Sequence, residues 1–348
     1  YETEKAFFQE KYVTADGTMV FSQQTAQIMA LMADLLPDDA SRSKVTKALV
    51  DSLKRYGMRL QTGFLGTAAI MQTLSDCGED DVAYQLLLQR KNPSWLYSVD
   101  QGATTIWERW NSYTKEDGFG DVNMNSFNHY SYGAVAEWMY SYMAGIQVDP
   151  ENPGFHHVRL QPSPNRSIGS ARGTLDTAYG RITSAWSYEG DRFAYTAGIP
   201  ANVTAEIAVP IEEGQTFLVN GKQPEDLRLD VDGIAYEGLA NGEACFRMVA
   251  GTFELTAGGT PTSVIFLASG DADIEGDIRI NGGDWEPITP TILVETGKPV
   301  TLEIRPVNDV DFSAAGWSGD LSGQGAPLSF TPQGDLRLTA HFQSNGYD

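Results

Sequence analysis

The chain has 348 residues, 41% hydrophobic and 20% charged, a balance that supports more than one folded core. Its formal net charge of -22 excludes a nucleic-acid partner, whose phosphates need neutralising by Lys and Arg, and argues against anionic membrane surfaces. Its two cysteines, Cys77 and Cys245, fall in segments of different texture, so no disulfide framework is expected, and neither they nor the four histidines show metal-ligand spacing.

No apolar run is long enough to span a bilayer, so no membrane insertion is expected. The chain opens at Tyr1 with neither Met nor a signal-peptide pattern, and so reads as trimmed at its N-terminus.

Residues 1–150 predict helices. "TAQIMALMADLLPDD" places Ile28, Leu31, Met32 and Leu35 at helical spacing, with Pro37 as a stop. "SRSKVTKALVDSLKRYG" repeats the device with Val45, Leu49, Leu53 and Tyr56, closed by Gly57. "FLGTAAIMQTLSDCG" ends on Gly78, and "EDDVAYQLLLQR" follows after a short turn. A last helix is expected from about Ser126 to Gly145, with Val135, Trp138, Met139 and Tyr142 on one face. Short links between such helices favour antiparallel hairpins, which close into a layered barrel, but this number makes only part of one.

Within this region, "GATTIWERWNSY" packs Trp107 and Trp110 around Glu108 and Arg109. These residues could not all face a helix core. Either Glu108 pairs with Arg109 or a nearby lysine, or it stands at the mouth of a sugar pocket. In the second case, once deprotonated, it could take a proton from water attacking an anomeric carbon. In "NMNSFNHYSYG", Asn125 or Ser126 would cap the following helix and put His129 in its first turn, where the helix dipole favours a neutral, hydrogen-bonding imidazole. A lone His there can be purely structural, yet Asn128, Tyr130 and Tyr132 beside it are types that line sugar sites. "TKEDGFGD" brings Glu116, Asp117 and Asp121 into a loop, either solvated or a carboxylate partner.

Past "AGIQVDPENPGF" the texture changes at Pro150, Pro153, Pro162 and Pro164, with His156 and His157 expected to seal the boundary. In "NVTAEIAVP", Val203, Ala205, Ile207 and Val209 alternate with Thr204, Glu206 and Ala208, the period of a half-buried strand. Asn202 also opens a chance-level glycosylation triplet. "YGRITSAWSYEGDRFAYTAG" predicts two strands around Glu189-Gly190-Asp191. A second break at "AGGTPTS" precedes the short strands "SVIFLAS", "DIRING", "VTLEIRPV" and "LRLTAHF", with Trp285 and Trp317 as their own aromatics. The fold class is therefore multi-domain α + β. Residues 1–150 are expected to be part of an alpha/alpha barrel, 151–258 an antiparallel β-sandwich and 259–348 a small β domain.

In order and spacing, "TGFLGT", "NPSWLY", "GATTIWERW" and "MNSFNHY", then "GFHHVRLQPSP" and "LDTAYGRITSAW", resemble the bacterial α-L-rhamnosidases of glycoside hydrolase family seventy-eight. The resemblance runs from about residue 10 to 210. It implies an alpha/alpha six-barrel and inverting hydrolysis of terminal α-L-rhamnose from glycosides or polysaccharides; nothing in the chain itself demands a metal or cofactor, and none is expected. By the same resemblance Glu108 is the general base, His129 contacts bound rhamnose, and Trp107 and Trp110 contact the sugar or shape its pocket. The family's general acid lies in an earlier stretch with no counterpart here. The chain is thus expected to be the C-terminal part of a longer enzyme, carrying the base without the acid. Its exposed apolar wall would then be met by the N-terminal half or by self-association, or else the fragment would be partly disordered. The alternative is a non-catalytic carbohydrate-binding or scaffold fragment. Residues 263–343, with "GWSGD" at Gly316–Asp320, resemble a divergent internalin-type B repeat of β-grasp-like form, which implies a spacer or attachment module on an exported protein.

Overall fold

The computed structural model describes residues 1–190, 192–212, 215–258, 262–270, 274–289, 291–324 and 327–346. Asp191 of the expected 189–191 turn and residues 259–261 of the expected second break lie outside the described residues. The chain forms two compact units, 1–257 and 258–348.

The first unit begins with α1 (Glu2–Tyr12), α2 (Gln24–Met32), α3 (Asp39–Arg55), α4 (Phe64–Asp76), α5 (Asp80–Leu87) and α6 (Trp95–Asp100). In α3, the Asp38 carboxylate accepts from Ser41 N at 2.7 Å, capping the first turn. Lys54 and Arg55 in its last turn complement the dipole. The helix stops where Gly57 takes φ +69° and Met58 N reaches back to Leu53 O at 2.7 Å. Val45, Leu49 and Leu53 point inward at four-residue spacing and are buried, each worth roughly 1.5–3 kcal/mol. α4 packs on α2, and Gly66 permits the close approach, since a Cβ there would lie 2.6 Å from Thr25 Oγ1.

Two expectations change, and α1 adds a helix that no apolar spacing marked. Met32, placed on the inner face of α2, is 54% exposed. α1 buries no residue; Lys5 pairs with Asp34, and the Tyr1 hydroxyl donates to Ala33 O and Asp34 O. The helix expected from Ser126 starts later, as a tight turn at Ser131–Ala134, α7 (Val135–Trp138) and a wide π-helical turn at Met139–Met143. Ser126 caps no helix, because both its amide and its carbonyl are committed to Glu108.

A two-strand ribbon, β1 (Tyr113–Thr114) and β2 (Gly118–Phe119), interrupts the helices. Beyond α7 comes a sandwich. One sheet has the order β10-β11-β8-β4-β3, from β3 (Ile146–Val148), β4 (His157–Leu160), β8 (Thr204–Pro210), β10 (Ile234–Ala240) and β11 (Glu243–Met248). The other has the order β5-β6-β7-β12-β9, from β5 (Ser170–Thr177), β6 (Gly180–Glu189), β7 (Arg192–Ile199), β9 (Phe217–Val219) and β12 (Gly251–Ala257). Val203, Ala205, Ile207 and Val209 all point into the shared core, as their alternation requires. The sandwich is not wholly antiparallel: β4 and β8 run parallel, joined by the long crossover through β5–β7.

Four successive carbonyls at the end of the helical part meet donors from the β part. Tyr142 O accepts from Ser163 N at 2.8 Å, Met143 O from Trp186 Nε1 at 2.7 Å, and Gly145 O from Gln161 N at 2.9 Å. Ala144 O accepts from the Ser184 hydroxyl. Gly145 itself has φ +74°, and a Cβ on it would lie 2.2 Å from Pro162 N.

In the second unit, β13 (Thr262–Ser269), β16 (Thr291–Glu295), β18 (Phe312–Gly319), β19 (Gly323–Gln324) and β21 (Leu336–Ser344) form one sheet. A second sheet contains β14 (Gly276–Ile280), β15 (Glu286–Pro287), β17 (Val300–Pro306) and β20 (Leu328–Phe330). They share a core that includes Ile265, Ile278, Leu302, Trp317 and Leu338. The "GWSGD" residues serve that packing: Trp317 is buried, and Gly319, at φ +113°, passes so close to β21 that a Cβ would lie 2.2 Å from Arg337 O.

Candidate functional site

Glu108 lies in an irregular segment between α6 and β1, and His129 in a second one ahead of α7. The two segments run side by side. Glu108 N donates to Ser126 O and His129 N to Ile106 O, each at 2.9 Å. The Thr105 hydroxyl donates to Phe127 O. Ser126 N then donates to Glu108 Oε2 at 2.9 Å, which fixes the carboxylate in place.

Glu108 is half-buried, and among the described residues it has no ion-pair partner and its Oε1 accepts no hydrogen bond. The ion-pair alternative is therefore not realised in this structure. Arg109 instead stands near Tyr132: burial pushes the Tyr132 phenol up, and the Arg109 charge opposes that rise.

The aromatics flanking Glu108 are structural to different degrees. Trp110 is buried in the helical core, stacked on Tyr132 with ring centroids 3.9 Å apart and meeting Trp95 edge-on at 5.4 Å. The Trp95 indole donates to Tyr132 O at 2.8 Å, and the Ser98 hydroxyl to Trp110 O at 2.8 Å. Trp107 is also buried, edge-on to Phe127 at 5.3 Å. Both indoles thus hold the paired segments from beneath.

His129 lies before the helix, not in its first turn, because Ser131 is the first helical residue. Its Nδ1 accepts from Ser131 N at 3.4 Å. Its ring stacks on Phe64 at 4.9 Å and lies nearly parallel to Tyr130 at 5.6 Å. Tyr130 is 88% exposed, so an aromatic edge is presented to solvent beside the imidazole.

The acids of "TKEDGFGD" bond locally. Asp117 N donates to Thr114 Oγ1, and Asp121 Oδ1 accepts from Asn123 N, each at 2.9 Å. Glu116, Asp117 and Asp121 are all exposed, which is the solvated-loop arrangement. His156 and His157 lie in the sandwich, His156 against Tyr179 and His157 bonded through Nδ1 to Thr204 Oγ1 at 2.8 Å. Tyr132, expected among the residues lining a sugar site, is buried in the helical core, and Phe64 carried no role of its own in the sequence. The signal for Phe64 was its place in "TGFLGT", a matched block with no chemistry of its own.

A cleft of about 490 Å³ lies elsewhere, between the helices and the sandwich, lined among others by Asp76, Asp80, Tyr142 and Glu243. Burial raises the Asp80 and Glu243 carboxyls above the ordinary range, against hydrogen bonds from Ser75 and Gln161 respectively. Asp80 opens α5, where the helix dipole favours an anion, so at this position desolvation outweighs the dipole. Among the described residues no cluster of His, Cys, Asp or Glu is arranged to hold a metal ion. No described helix is long and apolar enough to cross a membrane.

A helical-hairpin domain fused to a β-sandwich, with a braced carboxylate and imidazole on adjacent loops, is the class that fold and site define. Residues 1–143 match the bacterial alpha-L-rhamnosidase 6 hairpin glycosidase domain, and residues 145–223 match the bacterial alpha-L-rhamnosidase C-terminal domain. An alpha-L-rhamnosidase of Formosa agariphila is 39% identical over 219 residues, 63% of this chain and 23% of that protein. One from Streptomyces avermitilis is 42% identical over 205 residues, 59% of this chain and 20% of that protein. The solved structure of the Streptomyces avermitilis alpha-L-rhamnosidase complexed with L-rhamnose superposes with a TM-score of 0.64 at 35% identity, covering 72% of this chain and 23% of that one. The native Aspergillus terreus enzyme gives a TM-score of 0.57 at 32% identity, covering 60% of this chain and 24% of that one. Over residues 1–223 the chain belongs to the bacterial α-L-rhamnosidase family. It spans a fifth to a quarter of the length of the curated relatives it matches.

Proposed function

We propose that this chain supplies the general base and part of the sugar subsite for inverting hydrolysis of terminal α-L-rhamnose from a glycan. The observation that supports this most is the Glu108 carboxylate, held by one amide on Oε2, with no ion-pair partner among the described residues and no donor on Oε1, where a water molecule could bind. Such a carboxylate takes a proton from water as that water attacks the anomeric carbon on the face opposite the leaving oxygen. The proton moves to Glu108, the C–O bond to the leaving group breaks, and an acid protonates the departing oxygen. That acid is not assigned to a residue of this chain.

On the same reading His129 donates to a hydroxyl of the bound rhamnose, and Trp107 and Trp110 shape the floor. Export of the protein, a spacer role for residues 259–348, and completion of the site by another part of the enzyme or a second copy belong to this proposal.

The test is release of nitrophenol from an aryl α-L-rhamnoside by the wild-type chain and by Glu108→Gln, with L-rhamnose binding measured in parallel. Turnover that is lost in the variant while binding persists supports the base role. Equal turnover in both overturns it. Binding with no turnover in either moves the chain to the non-catalytic carbohydrate-binding reading.

A further inference from the structure

We infer that Phe64, from the "TGFLGT" block, is the positioning residue that sets the His129 imidazole for sugar recognition, with Nε2–H as the donor. The inference rests on the proposed sugar subsite and goes beyond it by naming what orients the histidine and which atom binds.

Phe64 opens α4, the helix whose Ile70, Met71 and Leu74 anchor the helical core, so its backbone is held by one of the best-packed elements of the unit. Gly63 precedes it in extended conformation, and Thr62 and Thr67 are joined through their hydroxyls at 2.8 Å. From that fixed base the Phe64 ring meets two partners. One is Tyr132, at 5.1 Å and tilted by 51°, which continues through Trp110 to Trp95. The other is the imidazole of His129, stacked at 4.9 Å with an interplanar angle of 20°.

Three constraints therefore converge on His129. Its amide is tied to Ile106 O at 2.9 Å, its Nδ1 accepts from Ser131 N at 3.4 Å, and one ring face lies against Phe64. A neutral imidazole that accepts at Nδ1 carries its proton on Nε2. The amide contact thus selects the tautomer, while the Phe64 ring limits tilting of the imidazole out of its plane. A side chain with both degrees of freedom removed before the sugar arrives loses less entropy on binding, the general advantage of preorganisation. The same pile passes through Trp110, two residues from Glu108, so the base and the donor share one support.

The test uses the full chain, its histidine resonances resolved by nuclear magnetic resonance, and L-rhamnose as the probe. In the wild type, cross-peaks between the Phe64 ring and the His129 Cε1–H are expected, and rhamnose should shift the His129 signals. Phe64→Leu should weaken rhamnose binding about five- to twentyfold and move the His129 signals in the free chain as the ring current is lost. Phe64→Tyr should bind within about twofold of wild type, because its ring is kept. Rhamnose binding unchanged in a folded Phe64→Leu overturns the inference, as does weaker binding with the His129 signals unmoved. Should Phe64→Leu fail to fold, absent Phe64–His129 cross-peaks in the wild type overturn it and present ones with Phe64→Tyr binding intact support it. Wild-type cross-peaks with no rhamnose response overturn the sugar-subsite reading instead, and this inference with it.

Discussion

Glu108 and Ser126 bond to each other twice: the Glu108 amide donates to Ser126 O, and the Ser126 amide donates to Glu108 Oε2, each at 2.9 Å. A single residue therefore fixes both the backbone and the carboxylate of the proposed base. Glutamine at position 108 keeps an oxygen that can accept from Ser126, so Glu108→Gln should fold normally and shift the melting temperature by only about a degree or two. Turnover should fall by about two to four orders of magnitude if the carboxylate is the base. Nitrophenol release and thermal melting, measured on the same sample, check both halves.

His129→Ala should leave the fold intact, since the ring is only partly buried, and weaken L-rhamnose by about 0.5–1.5 kcal/mol, the worth of one neutral hydrogen bond. Calorimetric titration reads this directly. An unchanged affinity would sink the donor role.

Trp110 separates a core residue from a sugar contact. Because it lies between Tyr132 and Trp95 in the helical core, Trp110→Ala should destabilise the first unit by about 3–5 kcal/mol, visible in the denaturant midpoint. A side chain serving only as a wall for the sugar would change affinity and leave that midpoint where it was.

The seam cleft should show a pH signature. Burial holds the Asp80 carboxyl above its ordinary value, so the folded chain binds that proton more tightly than the unfolded chain. The contribution is fully present below the unfolded pKa and is lost as pH rises through the folded one. Asp80→Asn removes the charge while keeping an oxygen for Ser75, so it should melt higher than wild type at neutral pH. The gap should close below about pH 4. A gap that is constant across the pH range would contradict the buried-carboxyl origin.

Two glycines with positive φ test the junction. Gly145→Ala places a Cβ 2.2 Å from Pro162 N, whereas Gly154, at φ +103°, has nothing within 4 Å. Gly154→Ala should cost about 1 kcal/mol for backbone conformation alone. Gly145→Ala should cost more than about 2 kcal/mol, or fail to fold, because backbone cannot yield as a side chain can.

How much of this was legible in the sequence follows from the range of the interactions. α3 could be read because its cap, its apolar spacing and its terminating Gly57 all lie within one stretch. The alternation of Val203 to Val209 likewise states its own burial. The parallel pairing of β4 with β8 was not legible, since nothing near His157 marks a partner at Thr204. The same holds around the site. Ser126 looks like a helix cap until Glu108, eighteen positions earlier, is brought beside it and takes its amide. Trp110 looks like a sugar wall until Tyr132 stacks on it. Local patterns fixed the elements, while the bracing of the loops depends on contacts that no short window contains.

The carbonyls of residues 142–145 are the ones a terminating helix leaves without partners. Each receives a donor from the β part: Ser163 N, Trp186 Nε1, the Ser184 hydroxyl and Gln161 N. The sandwich therefore acts as the C-terminal cap of the helical part, a task that one glycine or one side chain performs in smaller proteins. Neither part can open without stranding polar groups on the other. Heating should dissolve residues 1–257 in one calorimetric transition, with the loops that carry Glu108 and His129 only as durable as the sheets behind them.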